Sequence, residues 1–337
     1  MKVDILIKSF NRPYYLDRCI KSICQYLEGD YQIKVLDDGT PEKYLDLIQK
    51  KYPEVSILSS PLAPVKRKLT EEYLTDKTVV LNKKIPGDFW YKEVEKSSSI
   101  FFLLEDDIWL VQPLNVKQVC QDMTKCAMVM LKASWLGNER LIAGKHLTVS
   151  DQTQEVMPTI SLLTQTVVLN KYWVRSLLYR AGMLDGKGFE WTCQMPLYSL
   201  YTVASAFYLK DYWLYLWSDK QQSVNEHTQL TKAWRWYKDK DGRYGKTTVE
   251  ITNTSFISSS FSDEKTGFDM LHFNSILNQL WYDEELDVME NFPKDFSENY
   301  ICLWLKKAAN PAATCDGWKE WTAGFKNQYS SLGCHVD

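Results

Sequence analysis

No stretch of the 337-residue chain stays apolar for the ~18 residues a membrane-spanning helix needs, because charge interrupts every long hydrophobic segment. A transmembrane helix is therefore not expected. The formal net charge of −3 gives no general attraction for nucleic acid or anionic lipid, so a phosphate-bearing ligand would have to be held by a local site. The eight cysteines (Cys19, Cys24, Cys120, Cys126, Cys193, Cys302, Cys315 and Cys334) include no CxxC pair and no metal-finger spacing. In a chain of this length they are expected to stay reduced, as in a cytosol, rather than to form a disulfide framework. Met1-Lys2-Val3-Asp4-Ile5 leads into no long apolar core of a signal peptide, so no secretory signal is expected. The expected localisation is cytoplasmic, with room for peripheral association at the inner face of a membrane. No internal repeat is visible, and no glycine-rich phosphate loop follows the first predicted strand.

What is present is ordinary for a globular protein, 45% hydrophobic and 25% charged residues, in a chain long enough to build a core without staples. One stretch stands apart. Phe101-Phe102-Leu103-Leu104-Glu105-Asp106-Asp107-Ile108-Trp109-Leu110 sets three acids against apolar residues on both sides. Ile100 to Leu104 reads as a fully buried strand, and acids at its end lie at the rim of a sheet, where open α/β folds bind ligands. A hard divalent cation, Mg²⁺ or Mn²⁺, takes oxygen ligands from one or two such carboxylates and completes its shell with water and phosphate. The plainer alternative is an exposed acidic turn after a core strand.

In chain order, Val3 to Ile7 is a strand that stops at Ser9-Phe10-Asn11-Arg12-Pro13, and Leu16, Ile20, Ile23 and Leu27 mark a helix behind it. Ile33 to Leu36 is a second strand, ending at Asp37-Asp38-Gly39-Thr40, where glycine permits a tight backbone. A helix over 44–52 and a strand over 55–58 follow. Such alternation predicts an α/β fold with a mostly parallel sheet flanked by helices. The cluster Lys66-Arg67-Lys68 is a candidate to face a diphosphate, the alternative being a solvated basic face. A helix is expected over 116–126, strands over 127–131 and 161–169, and a helix over 172–179. The loop from Gly182 to Trp191, with three glycines around Asp185 and Glu190, reads as bent around a ligand.

Taken together, Ser9-Phe10-Asn11-Arg12 after one strand, Asp37-Asp38-Gly39-Thr40 after the next, and Leu103-Leu104-Glu105-Asp106-Asp107 later resemble the family 2 glycosyltransferases of GT-A fold. There a strand ends in an S/T-Y/F-N-R loop, a second in D-D-G-S/T, and a third in a metal-binding D-x-D, from which Glu105 departs. The resemblance covers residues 1–110, extends to about 200 and is not visible beyond. It implies a Rossmann-like GT-A domain over 1–225, followed by a helical or irregular carboxy-terminal extension over 226–337, serving acceptor binding or oligomerisation.

The implied activity is a metal-dependent, inverting glycosyltransferase of hexosyltransferase type, working in polysaccharide or glycoconjugate synthesis. It would move a sugar from a UDP- or GDP-sugar to a saccharide or lipid-linked acceptor. Ser9, Phe10, Asn11, Arg12, Asp38 and Asp106 would contact the donor, with Asp38 accepting from the base and Asp37 capping its own turn. Glu105, Asp107 and, by position near the domain end, His227 would hold Mn²⁺ or Mg²⁺. The general base would be Glu190, with Asp185 as second choice; the apolar neighbours Phe189 and Trp191 suit a raised carboxyl pKa. Trp213, Trp217, Trp234 and Trp236 could stack on acceptor sugars or pack a core. Two other readings stay open, a nucleotidyltransferase and a non-catalytic carbohydrate-binding scaffold of the same fold.

Overall fold

The structure is a computed structural model that describes residues 2–169, 176–177, 179–182, 192–223, 225–260 and 268–336. At its centre is a nine-stranded mixed sheet. From one edge its order is Ser56–Ser59, Tyr31–Asp37, Val3–Ser9, Ile100–Glu105, Ala206–Leu209, Met128–Lys132, Arg243–Thr247, Thr153–Pro158 and Gly144–Thr148. The first four run parallel, with Ile7 beside both Val35 and Leu104, and Lys8 beside Glu105. Ala206–Leu209 and Thr153–Pro158 are the two strands that run against their neighbours. Val3, Ile5 and Ile7 face one buried cluster of side chains and Leu6 the other, so this strand is covered on both faces, as parallel strands must be.

The first helix, Pro13–Tyr26, begins with proline at its first position, where a missing N–H is harmless. It buries Leu16, Ile20 and Ile23 at helical spacing against the sheet. Its other side meets the helix Met270–Tyr282, where the Trp281 indole donates to Asp17 at 2.7 Å and the Tyr14 hydroxyl to Asn274 at 2.8 Å. Described residues from the expected extension over 226–337 contribute to this sheet and core. Arg243–Thr247 enters the sheet between two earlier strands, and Thr252–Thr254 pairs with Ile108–Leu110 just past the acidic cluster.

Two local expectations are corrected, and one open choice is decided. The run expected as a strand over 161–169 is the helix Leu162–Val168, because Ser161 caps it through a 3.0 Å bond from the Thr164 amide; Val167 and Val168 turn inward, leaving Leu162 exposed. The cysteines do not all stay reduced, since Cys302 and Cys315 form a disulfide between the helices Glu298–Ala308 and Cys315–Ser330. Sequence spacing held no sign of this bond, which depends on the two helices bringing the Cα atoms to 5.1 Å. Trp213 and Trp217 are buried in the second core cluster against Trp90, which answers the choice between sugar stacking and packing in favour of packing. The helix expected over 172–179 lies largely outside the described residues. Among the described residues, no helix is long and apolar enough to cross a membrane.

Candidate active site

The parallel strands Val3–Ser9, Tyr31–Asp37 and Ile100–Glu105 deliver their carboxyl ends to one edge of the sheet, and a cleft opens there. The loop after the first strand turns sharply at Asn11, which adopts the left-handed conformation (φ 51°) that asparagine tolerates. Its amide donates to the Thr40 hydroxyl at 2.9 Å, and its carbonyl accepts from Asn278 at 3.0 Å. The loop after the second strand needs Gly39, with φ 134°, because a Cβ there would stand 2.9 Å from Lys66 and 3.2 Å from the Phe10 ring. Asp37 caps this turn, accepting from the Thr40 amide at 2.9 Å and the Gly39 amide at 3.2 Å.

The three acids divide by direction. Asp106 turns inward and is 1% exposed; it accepts from the Ser9 hydroxyl and the Phe10 amide, each at 3.0 Å, and from Arg12 at 2.5 Å. Both its oxygens are taken, and it holds the first loop in shape. Glu105 and Asp107 border the cleft, with side chains 38% and 15% exposed. Each gives one oxygen to an ion pair, Glu105 to Lys8 and Asp107 to Arg12, both at 2.7 Å.

Three carboxylates thus face two cations, and burial and neighbouring charges set their acidities apart. Burial pushes the Asp106 carboxyl up to about 7 against the pull of Arg12, with the neighbouring Asp107 adding to the rise. Asp107 is raised too, first by burial and then by Glu105. Burial would raise Glu105, but Lys8 and Arg12 hold it below the usual range. Arg12 is buried, which disfavours its charge, yet the two aspartates outweigh this and keep it protonated.

Three hollows meet at Glu105. One, of about 240 Å³, is lined by Phe10, Asp38, Lys66, Ile85 and Trp90. Here Asp38 accepts from the Ser60 hydroxyl at 2.6 Å and pairs with Lys66, whose ammonium lies 5.3 Å from the centre of the Phe10 ring. Burial raises Asp38 despite Lys66. The expected basic cluster therefore splits: Lys66 enters the cleft, Arg67 bonds Asp37 and Glu42, and Lys68 stays outside. The central hollow, about 300 Å³, is bounded by Arg12, Glu105, Asp107 and the run Ser258 to Ser260. A third, about 280 Å³, lies beyond Glu105 among Trp135, Tyr198, Glu226 and Tyr329.

The structure thus brings together Ser9, Phe10, Arg12, Asp38, Glu105, Asp106 and Asp107, with Asn11 bracing the loop from beneath. His227 is exposed on the first turn of the helix Glu226–Lys240, and its neighbour Glu226 is the one that borders a hollow. Glu190 and Asp185 lie outside the described residues. Among the described residues no group of three or more His, Cys, Asp or Glu forms a cage for a metal ion. Lys8, Lys132, Tyr198, Glu226 and Tyr329 were not foreseen. Of these, Lys8 carried a signal, a charge at the end of the buried run Val3–Ile7.

The fold and cleft define a mostly parallel α/β protein with a polar site at its strand ends. No family model and no curated protein matches the chain. Among solved structures it is similar to Staphylococcus aureus TarS residues 1–349 in complex with UDP-GlcNAc, with a TM-score of 0.42 and 10% identity over 100% of this chain and 84% of that one. It is also similar to Mycobacterium tuberculosis glucosyl-3-phosphoglycerate synthase in complex with phosphoglyceric acid, at TM-score 0.39, 12% identity, and 85% and 81% coverage. A third is the Saccharomyces cerevisiae mannosyltransferase Ktr4p, at 0.31, 14% identity, and 68% and 60% coverage.

Proposed function

We propose that the protein is a metal-dependent, inverting glycosyltransferase that moves a sugar from a nucleoside diphosphate to a saccharide or lipid-linked acceptor. The observation that carries this reading is the split of the acidic strand end: Asp106 turned inward to fix the first loop, Glu105 and Asp107 bordering the cleft. Two outward carboxylates separated by one residue, in a cluster of three acids that holds only two cations, suit a hard cation that keeps water and phosphate in its shell. Bound there, Mg²⁺ or Mn²⁺ would neutralise charge growing on the leaving diphosphate. The donor's base fits the hollow of Phe10, Asp38 and Lys66, where Asp38 accepts from a base edge and Phe10 supplies an aromatic surface.

In the transfer, the acceptor oxygen attacks the anomeric carbon as the bond from that carbon to the diphosphate breaks. The acceptor's proton passes to Glu190, and the nucleoside diphosphate leaves with the bonding electrons. Arg12 keeps Asp107 and Asp106 in their divided orientations throughout. Calorimetry with UDP and with GDP, each with and without Mn²⁺, tests the reading. Nucleoside diphosphate binding that requires Mn²⁺ supports it and names the base; sugar binding without any nucleotide affinity would make the protein a carbohydrate-binding scaffold.

A further inference from the structure

The hollow beyond Glu105 contains a charge that the transfer scheme does not use. Lys132 closes the strand Met128–Lys132, is 3% exposed, and borders this cavity of about 280 Å³. Its ammonium donates to the Leu141 carbonyl at 3.1 Å, and among the described residues no carboxylate lies within ion-pair reach. Lys246 sits directly opposite it in the sheet register and is also buried. That second ammonium bonds the Thr247 carbonyl at 3.2 Å and lies 4.2 Å from the centre of the Trp135 ring.

Among the acids around the pair, Glu139 is exposed and acts on Lys246 alone, and the others are committed elsewhere. Glu250 accepts from the Ser134 hydroxyl at 2.9 Å and from the Trp135 and Gly137 amides at 2.5 and 3.0 Å. Glu226 accepts from the Tyr198 hydroxyl, and Glu105 is paired with Lys8. A buried amine without a counter-ion is a standing cost to the fold, and an apolar side chain of the same length would fill the space more cheaply. Burial accordingly drives Lys132 down to about 7, with Glu250 and Cys334 only partly opposing, and lowers Lys246 as well.

Such a cation is satisfied if the ligand brings the missing charge. The remaining walls suit a sugar: Trp135, Tyr198 and Tyr329 line the cavity with aromatic carbon against which the apolar side of a pyranose ring can pack. Tyr329 borders both this cavity and the central hollow, and among the described residues its hydroxyl has no hydrogen-bond partner. Resting on the transferase reading above, we propose that this cavity receives the acceptor and that the acceptor carries an acid group, carboxylate or phosphate, seated on Lys132. The acid end lies at the Lys132 side, away from Glu226, and the reacting hydroxyl points toward Glu105.

Calorimetry on the full chain, with and without UDP and Mn²⁺, can compare methyl β-D-glucuronide, glucose 6-phosphate and methyl β-D-glucoside. One of the two acids is expected to bind roughly tenfold or more tightly than the neutral glucoside, and which one does so tells carboxylate from phosphate. Lys132→Met should erase that preference while leaving UDP affinity intact and the melting temperature equal or higher, and Lys132→Gln should do the same if methionine narrows the cavity. Equal affinity for all three sugars, no binding of either acid, or a preference that survives both substitutions overturns the inference. UDP binding separates the two readings: if it is intact without an acid preference, only the acceptor inference fails, whereas an acid preference without any UDP binding counts against the transferase.

Discussion

Arg12 donates to Asp106 at 2.5 Å through one guanidinium nitrogen. Its other terminal nitrogen reaches Asp107 at 2.7 Å, so one buried side chain ties the inward acid to the outward one. Arg12→Ala leaves Asp106, 1% exposed, without its cation, and removing one partner of a buried pair costs about 3–5 kcal/mol. Urea unfolding of Arg12→Ala should show that loss. Arg12→Lys should recover only part of it, since a single ammonium lacks the fork that serves both acids. An alanine variant as stable as the parent would mean that Arg12 is incidental.

Glu105→Gln and Asp107→Asn keep shape and volume but remove the charges that border the central hollow. Both variants should fold, with lowered melting temperatures because buried Lys8 and Arg12 each lose a carboxylate, and lose Mn²⁺-dependent nucleoside diphosphate binding by an order of magnitude or more, roughly the effect of removing one charged ligand. Asp38→Asn should weaken nucleotide binding at saturating Mn²⁺ without changing the Mn²⁺ concentration that binding requires, which separates the base pocket from the cation seat. Metal-dependent binding that persists in Asp107→Asn would remove it from the cation's ligands.

Glu190→Gln should leave donor binding unchanged and lower turnover by about 10²-fold or more, the scale of one lost general base. Undiminished turnover would pass the role to another acid. Asp185 and Glu226 are next in line, the latter because it borders the cavity beyond Glu105.

Lys132 gives a pH test of stability. Its folded pKa, about 7, lies below its ordinary value of 10.5, so between those limits the unfolded chain binds more protons than the folded one. Stability therefore rises with pH across that window, and the penalty for charging the buried amine is present in full below about 7. Lys132→Met should flatten that rise and gain up to a few kcal/mol at pH 6, because it removes a buried charge. Denaturant midpoints of parent and variant at pH 6, 8 and 9.5 check this; parallel curves would show that Lys132 keeps an ordinary pKa.

The first sixty residues were legible because each strand, loop and helix there follows from local pattern. Val3–Ser9 is a run that only a buried strand accommodates, Pro13 starts the next helix, and Gly39 marks a turn that no other residue fits. The acidic cluster was legible as a site but not in its division, since which acid turns inward is decided by Ser9, Phe10 and Arg12, far away in sequence. Leu162–Val168 was misread because β-branched residues in a short apolar run look the same in a strand and in a capped helix. Lys132 and Tyr329 had no local signal at all. Their meaning comes from a cavity assembled by segments nearly two hundred residues apart.

The placement of Arg243–Thr247 inside the sheet, flanked by Met128–Lys132 and Thr153–Pro158, bears on how the protein is made. While the chain emerges from the ribosome, those two flanking strands exist well before the one that will separate them, and each presents an open row of amides and carbonyls. Final assembly of the barrier between the cleft side and the far edge must wait for the last third of translation. A fragment cut at residue 225 would carry two unsealed edges and tend to stick to its own copies.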